Sequence, residues 1–181
     1  MINIGIVGDY LGKNSFNDIV DAQVHSTITA YKIKSLVKSL VETRDFNSVN
    51  LITLEASALS DTIYSVCTEF GDMYDYDTKS TLLMRNESTL RKYIGCSAKA
   101  LGKYDSIIYT DSKTSLYQGS LRTVKERELN KEQYFVDSCD IIIHLWEGDI
   151  EEFNKYTRML KGRKKKRFII DSFSLEILEV D

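Results

Sequence analysis

Proline is missing altogether from a chain of 181 residues, where an average usage of about 5% would give about nine. Isoleucine, lysine, asparagine, serine and tyrosine are plentiful instead. That bias fits an AT-rich coding genome, bacterial or phage, and carries no chemistry. Cysteine is scarce: Cys67, Cys96 and Cys139 are far apart and odd in number. No pair has metal-ligand spacing, and an odd count argues against a disulfide framework. Three free thiols in a reducing cytoplasm are expected, the host's cytoplasm if the source is viral. No apolar run approaches the roughly 20 residues that span a bilayer, so no membrane partner is expected. The N-terminus Met1-Ile2-Asn3-Ile4-Gly5-Ile6-Val7-Gly8 lacks the basic lead and small-residue cleavage site of a signal peptide. Positive charge is not in surplus, the formal net charge being −3, so bulk nucleic-acid binding has no support. Neither a GxGxxG fingerprint nor a GKS/GKT phosphate loop occurs. Repeats, low-complexity tracts and linkers are also missing, and one domain over residues 1–181 is expected.

What is present is a strand-helix-strand pattern, clearest from Asp137 to Asp171. Asp140 to Trp146 (DIIIHLW) is nearly all apolar, β-branched or aromatic, which suits a strand buried on both faces. Glu147-Gly148-Asp149 breaks it. Ile150, Phe153, Tyr156, Thr157 and Leu160 then recur at helical spacing, with Ile150 and Phe153 expected to face the sheet. Gly162 ends that helix, and Arg167 to Asp171 is a second short strand. Such a βαβ unit requires a parallel sheet.

The rest of the chain repeats the alternation. Ile2 to Gly8 reads as the first strand and Leu11 to Asp21 as a polar loop. Ala22 to Arg44 reads as a helix with Val24, Ile28, Ile33, Leu36, Val37, Leu40 and Val41 as its buried stripe. Val49 to Leu54 is a strand. Ser57 caps a helix whose inner face is Leu59, Ile63, Val66, Cys67 and Phe70. Gly71 to Ser80 reads as a mobile loop, and Thr81 to Arg85 as a short strand. A helix from Ser88 to Lys103, a strand from Asp105 to Tyr109, a polar loop from Thr110 to Leu121 and a helix from Arg122 to Cys139 follow. Ser174 to Val180 alternates like an edge strand. The fold class is α/β, a Rossmann-like three-layer domain with a mostly parallel sheet.

Ligands in such sheets bind outside the carboxyl ends of the strands. Asp9 and Tyr10 follow the first strand, and Glu147, Gly148, Glu151 and Glu152 follow the DIIIHLW strand. The acids also suit the positive end of a helix dipole, so position alone does not make them functional. His144 alternates with Ile142 and Trp146 on one sheet face. A lone histidine there is more often a hydrogen-bonded core residue than a catalyst, and no nucleophile-elbow sequence exists to pair with it. His25, early in the first helix, reads the same way. Lys161 to Arg167 is the one charge run, explained by cations at a helix C-terminus and a solvated turn, with a phosphate or nucleic-acid patch as the alternative.

The second half resembles the SLOG superfamily, the Rossmann-like group that includes LOG-type cytokinin-activating phosphoribohydrolases, DNA-processing DprA-like proteins and nucleotide-sensing domains of phage-defence systems. Lys131 to Asp140 runs alongside the R-N-x-x-M-V-D-x-x-D pattern of one branch. Gly148-Asp149-Ile150-Glu151-Glu152-Phe153 looks like the G-T-L-E-E-L part of the LOG-type GGxGTxxE turn, which sets Glu152 on the catalytic glutamate. Lys131-Glu132 stands in place of Arg-Asn, Asp149 in place of Thr, and one glycine in place of two. After the second strand, Leu54 to Asp61 keeps only Ser57, Ala58 and Asp61 of the family's glycine-rich phosphate loop. Glycines let a backbone approach phosphate closely, and Glu55 repels it. The nucleoside 2-deoxyribosyltransferases share the layout of aspartate, apolar strand, acidic turn and helix with a nucleophilic Glu. GIVGDY and His25 are similar to the opening of CTP-synthase-related amidotransferases, but no G-x-C-x-G turn follows.

The resemblance implies a protein that binds a small nucleotide or nucleotide-derived signal, related to phage or bacterial defence, through Asp9, Tyr10, Ser57, Asp111, Glu147, Gly148 and Glu152. It implies alternatively an enzyme acting on an N-glycosidic bond through Glu152 or Glu151. A third expectation is an interaction protein with a decayed site. No cofactor or metal is expected, and homo-oligomer formation stays open.

Overall fold

The structure, a computed structural model, describes residues 1–8, 19–44, 46–54, 59–74, 76–86, 102, 104–111 and 124–180. In chain order these form β1 (Ile2–Val7), α1 (Ile19–Glu42), β2 (Ser48–Leu54), α2 (Leu59–Tyr74), β3 (Asp77–Met84), β4 (Ser106–Tyr109), α3 (Val124–Ser138), β5 (Ile141–Trp146), α4 (Ile150–Leu160), β6 (Lys166–Asp171) and β7 (Ile177–Val180). Asp9, Tyr10, Ser57, Cys96, the Ser88 to Lys103 helix and most of the Thr110 to Leu121 loop lie outside the described residues.

One seven-stranded sheet runs β4-β3-β2-β1-β5-β6-β7. All neighbours pair parallel except the edge pair β6 and β7. The central strands are apolar on both faces because helices cover both. On one face α1 and α2 set Ile33, Val37, Leu40, Leu59, Ile63 and Phe70 against Ile4, Ile6, Leu51, Ile143 and Leu145. On the other, α3 and α4 set Phe135, Val136 and Tyr156 against Val7, Ile52, Leu83 and Ile142. This is the three-layer Rossmann-like arrangement that the alternation implied.

Three local expectations are corrected. Gly71 to Ser80 is not a loop: α2 runs on to Tyr74 and β3 begins at Asp77. The polar residues Asp77 to Lys79 hid the strand, yet they pair in register with Ser48 to Asn50, and Tyr76 rests on Phe70 with ring centroids 5.8 Å apart. Val24 and Ile28 are exposed, not buried; the buried stripe is Thr29, Ile33, Val37, Leu40 and Val41. The helix of 24 residues is about 36 Å long, whereas the six residues of β1 cover about 20 Å, so the first turns of α1 have no sheet beneath them. Ile150 is 60% exposed. With Tyr156 fixed inward, a residue six positions earlier is turned about 120° away at 100° per residue.

Candidate functional site

The strand order reverses beside β1: β2, β3 and β4 extend to one side, and β5 and β6 to the other. The crevice above such a reversal is where doubly wound sheets bind ligands. Two glycines shape it. Gly8, just past β1, has φ +97°, and a Cβ there would lie 2.2 Å from the Leu145 carbonyl oxygen. Only glycine allows both that backbone and that approach of β1 to β5. Gly148, between β5 and α4, has φ +92° with open space around it.

Asp149 then caps α4. Its side chain accepts from the Glu151 amide at 2.8 Å and the Glu152 amide at 3.3 Å. Its carbonyl accepts from the Phe153 amide and from the Trp146 indole, both at 3.0 Å, and Trp146 packs on Phe153 at 5.8 Å. The turn is therefore closed, and the first-turn amides that bind phosphate in many Rossmann-like folds are already occupied by a carboxylate.

The phase set by this cap separates the two glutamates. Glu151 is exposed, whereas Glu152 turns under α4. Its Oε2 lies 3.5 Å from His144 Nε2, the outer limit of a hydrogen bond, and Nε2 has no closer partner. His144 is fully buried. Its Nδ1 lies 2.5 Å from Arg167 Nη2. A guanidinium only donates, so Nδ1 accepts and the imidazole proton sits on Nε2, facing Glu152. Arg167, 2% exposed, also donates through Nη1 to Thr157 Oγ1 at 3.0 Å and to the Phe153 carbonyl at 3.4 Å. Its guanidinium carbon lies 4.6 Å from the Phe153 ring centroid.

The electrostatics follow. The His144 imidazole holds the Glu152 carboxyl below its ordinary value, helped by Lys155 and opposed by burial and Asp149. Glu152 is therefore an ionised acceptor at neutral pH, with 31% of its side chain exposed. Burial pushes the Tyr156 phenol well above its usual range, with Glu132 and Glu152 adding to it, so this ring beside His144 stays neutral. Burial lowers the Arg167 guanidinium somewhat, with Tyr156 and Glu152 opposing; an arginine has enough margin to stay charged.

The other expected residues are not all brought together. Glu147 and Gly148 are exposed in the turn before α4. Asp111 lies past the end of β4, where its carboxylate accepts from Asn86 Nδ2 at 3.0 Å and its amide donates to the Arg85 carbonyl at 2.9 Å. Four strand spacings separate β4 from β5, about 19 Å, so Asp111 and Glu152 do not share a small ligand's contact shell. Among the described residues no cluster of His, Cys, Asp or Glu has the makeup of a metal site. Cys67 and Cys139 are free; burial, with Asp105 adding, pushes the Cys67 thiol up to about 12.

The charge run is exposed from Lys161 to Lys164 and at Lys166, as a solvated turn would be, but two of its cations are not. Lys165 gives its ammonium to the carbonyls of Val136, Asp137 and Cys139 at 2.6–2.8 Å, closing the C-terminus of α3, and Arg167 is core. The missed signal was the period of two: Arg167 stands on β6 at an inward position, paired with Ile142 and so diagonal to His144.

Compared with known proteins, the chain matches no family model, no curated protein and no solved structure.

Proposed function

We propose that the chain is a SLOG-like binding protein that holds a small nucleotide or nucleotide-derived signal at the carboxyl edge of its sheet, with Glu152 accepting hydrogen bonds from the sugar hydroxyls. The observation that carries this reading is an ionised Glu152 in the first turn of α4, facing His144 of β5, which Arg167 orients, beside the reversal of strand order. A carboxylate kept ionised is a strong acceptor for a diol. Asp149 already fills the helix N-terminus, so the ligand's phosphate lies away from α4. In a phage genome such binding would make the protein a sink for a host defence signal. The test is a thermal-shift screen with nucleosides, nucleotides and cyclic dinucleotides, followed by calorimetry on Glu152→Gln. A saturable stabilisation weakened by about 1–3 kcal/mol in the variant, through one lost bond to a charged group, is the expected result. No stabilisation by any of them would leave the interaction-protein reading.

A second reading has one observation in its favour. An ionised, positioned glutamate is the form a nucleophile or an oxocarbenium-stabilising group takes in glycosidic-bond chemistry. Product analysis with nucleosides and nucleoside monophosphates tests it: release of free base by the wild type and not by Glu152→Gln would move the protein from binder to enzyme.

A further inference from the structure

At the opposite end of the β5–β6 half, a groove of about 560 Å³ runs between the last turn of α4 and the edge strands, lined in part by Thr157, Arg158, Lys161, Arg163, Arg167 and Val180. That volume falls in the range of small-molecule sites. Among the described residues no acidic side chain lines it. Its cations differ in how far they are used. Lys165 is spent on three carbonyls, and Arg163 is paired with Asp137. Among the described residues Arg158 bonds only its own helix carbonyl, Asn154, at 3.3 Å, and Lys161 has no side-chain partner. Arg167 in the wall is 2% exposed, and its Nε–H is buried without a hydrogen-bond partner. Arg158 and Lys161, with no acidic partner among the described residues, attract an anion to this groove.

The geometry points to a second binding site here, for a small phosphate-bearing molecule: Arg158 and Lys161 meet the phosphate at the rim, Arg167 in the wall adds positive charge behind them, and Leu160 and Val180 take an apolar part. A long polyanion fits less well. Asp137, paired with the lining Arg163, stands beside the groove, and the whole chain carries −3. The site uses none of the residues proposed to touch the ligand at the carboxyl edge.

The test is titration of the full chain with inorganic phosphate and then pyrophosphate at constant ionic strength, followed by nitrogen-15 NMR of the Gly162 amide and the Arg167 Nε–H. Saturable shifts of both signals are expected. Arg158→Gln with Lys161→Gln should weaken binding by about tenfold or more, which is about 1.4 kcal/mol, while the cooperative unfolding transition in phosphate-free buffer is kept and falls only slightly through the lost helix-end charges. Glu152→Gln should bind as the wild type does. Shifts that stay linear and match added sodium chloride, or a double variant that binds as well as the wild type, would overturn the site. So would binding of a single-stranded oligonucleotide without binding of either small anion.

Discussion

Arg167 and His144 stand on neighbouring parallel strands, and the guanidinium of one donates into the imidazole Nδ1 of the other at 2.5 Å. That single contact fixes the tautomer and aims the remaining N–H of His144 at Glu152. A cation in a nearly dry core, a histidine and a partly exposed carboxylate thus form one line from the sheet to the surface.

Replacing Arg167 with Leu should be among the most damaging single changes. It leaves His144 Nδ1 without a donor in a fully buried setting and removes the bonds to Thr157 and Phe153. Breaking such a buried set by removing one partner costs about 3–5 kcal/mol. Adding His144→Phe should recover part of the loss, because removing both partners spares the desolvation cost of an orphan. Urea unfolding of the two single variants and the double variant checks this. Equal and additive losses would show that the two side chains are energetically independent.

Gly8 and Gly148 share a positive φ but differ in surroundings, which makes a controlled pair. Gly148→Ala meets open space and should cost only the backbone strain, about 1–2 kcal/mol. Gly8→Ala adds a Cβ 2.2 Å from the Leu145 carbonyl oxygen. That oxygen belongs to β5 and cannot retreat without opening the β1–β5 pair, so the loss should exceed that at Gly148 by at least another 1 kcal/mol or so. Chemical denaturation of both variants decides it, and equal losses would contradict the close approach.

Glu152 gives the acid limb of stability a specific source. Its folded pKa lies below the ordinary 4.5, chiefly through His144. The unfolded chain then binds more protons between the two values, so stability rises with pH in that window. The contribution is full above the ordinary carboxylate value and lost as pH falls through the folded one. Asp171 behaves alike, held low by the Ser174 amide first and then opposed by burial and helped by the Phe173 amide. Glu152→Gln should therefore flatten part of the fall in Tm between about pH 5 and pH 3, and a second substitution, Asp171→Asn, should flatten more. A Glu152→Gln curve parallel to the wild type across that range would remove His144 as the cause.

Much of the frame was legible because apolar period carries it. Ile141 to Trp146, Ile2 to Val7 and the α2 face needed only spacing. Spacing could say only that Glu151 and Glu152 lie on different sides of the helix; the resemblance singled out Glu152, and the Asp149 cap sets the phase that turns it inward. What spacing cannot convey is length against length, which left Val24 and Ile28 beyond the sheet. Nor does it convey pairing: Asp77 to Lys79 are polar but hydrogen-bonded along β2. Arg167 was hidden for a third reason. A charge run looks solvated residue by residue, and only the register with β5 shows that its last member turns inward.

Asp149 offers a test of how a ligand lies at the carboxyl edge. Its side chain occupies the amides of Glu151 and Glu152, so a phosphate gains nothing at α4 and meets the charges of Glu147, Glu151 and Glu152. Asp149→Asn keeps an acceptor for the cap and should change stability by only a few tenths of a kcal/mol, whereas Asp149→Ala should cost about 1 kcal/mol. With the sugar toward Glu152 and the phosphate elsewhere, Asp149→Asn should leave the ratio of nucleotide to nucleoside affinity within about twofold of wild type, less than about 0.4 kcal/mol. Glu152→Gln should weaken nucleoside and nucleotide alike, since both present the same hydroxyls. Isothermal calorimetry with a matched nucleoside and its monophosphate measures all four combinations. A selective gain of about tenfold for the monophosphate in Asp149→Asn would put the phosphate at the N-terminus of α4 and reverse the orientation proposed for the ligand.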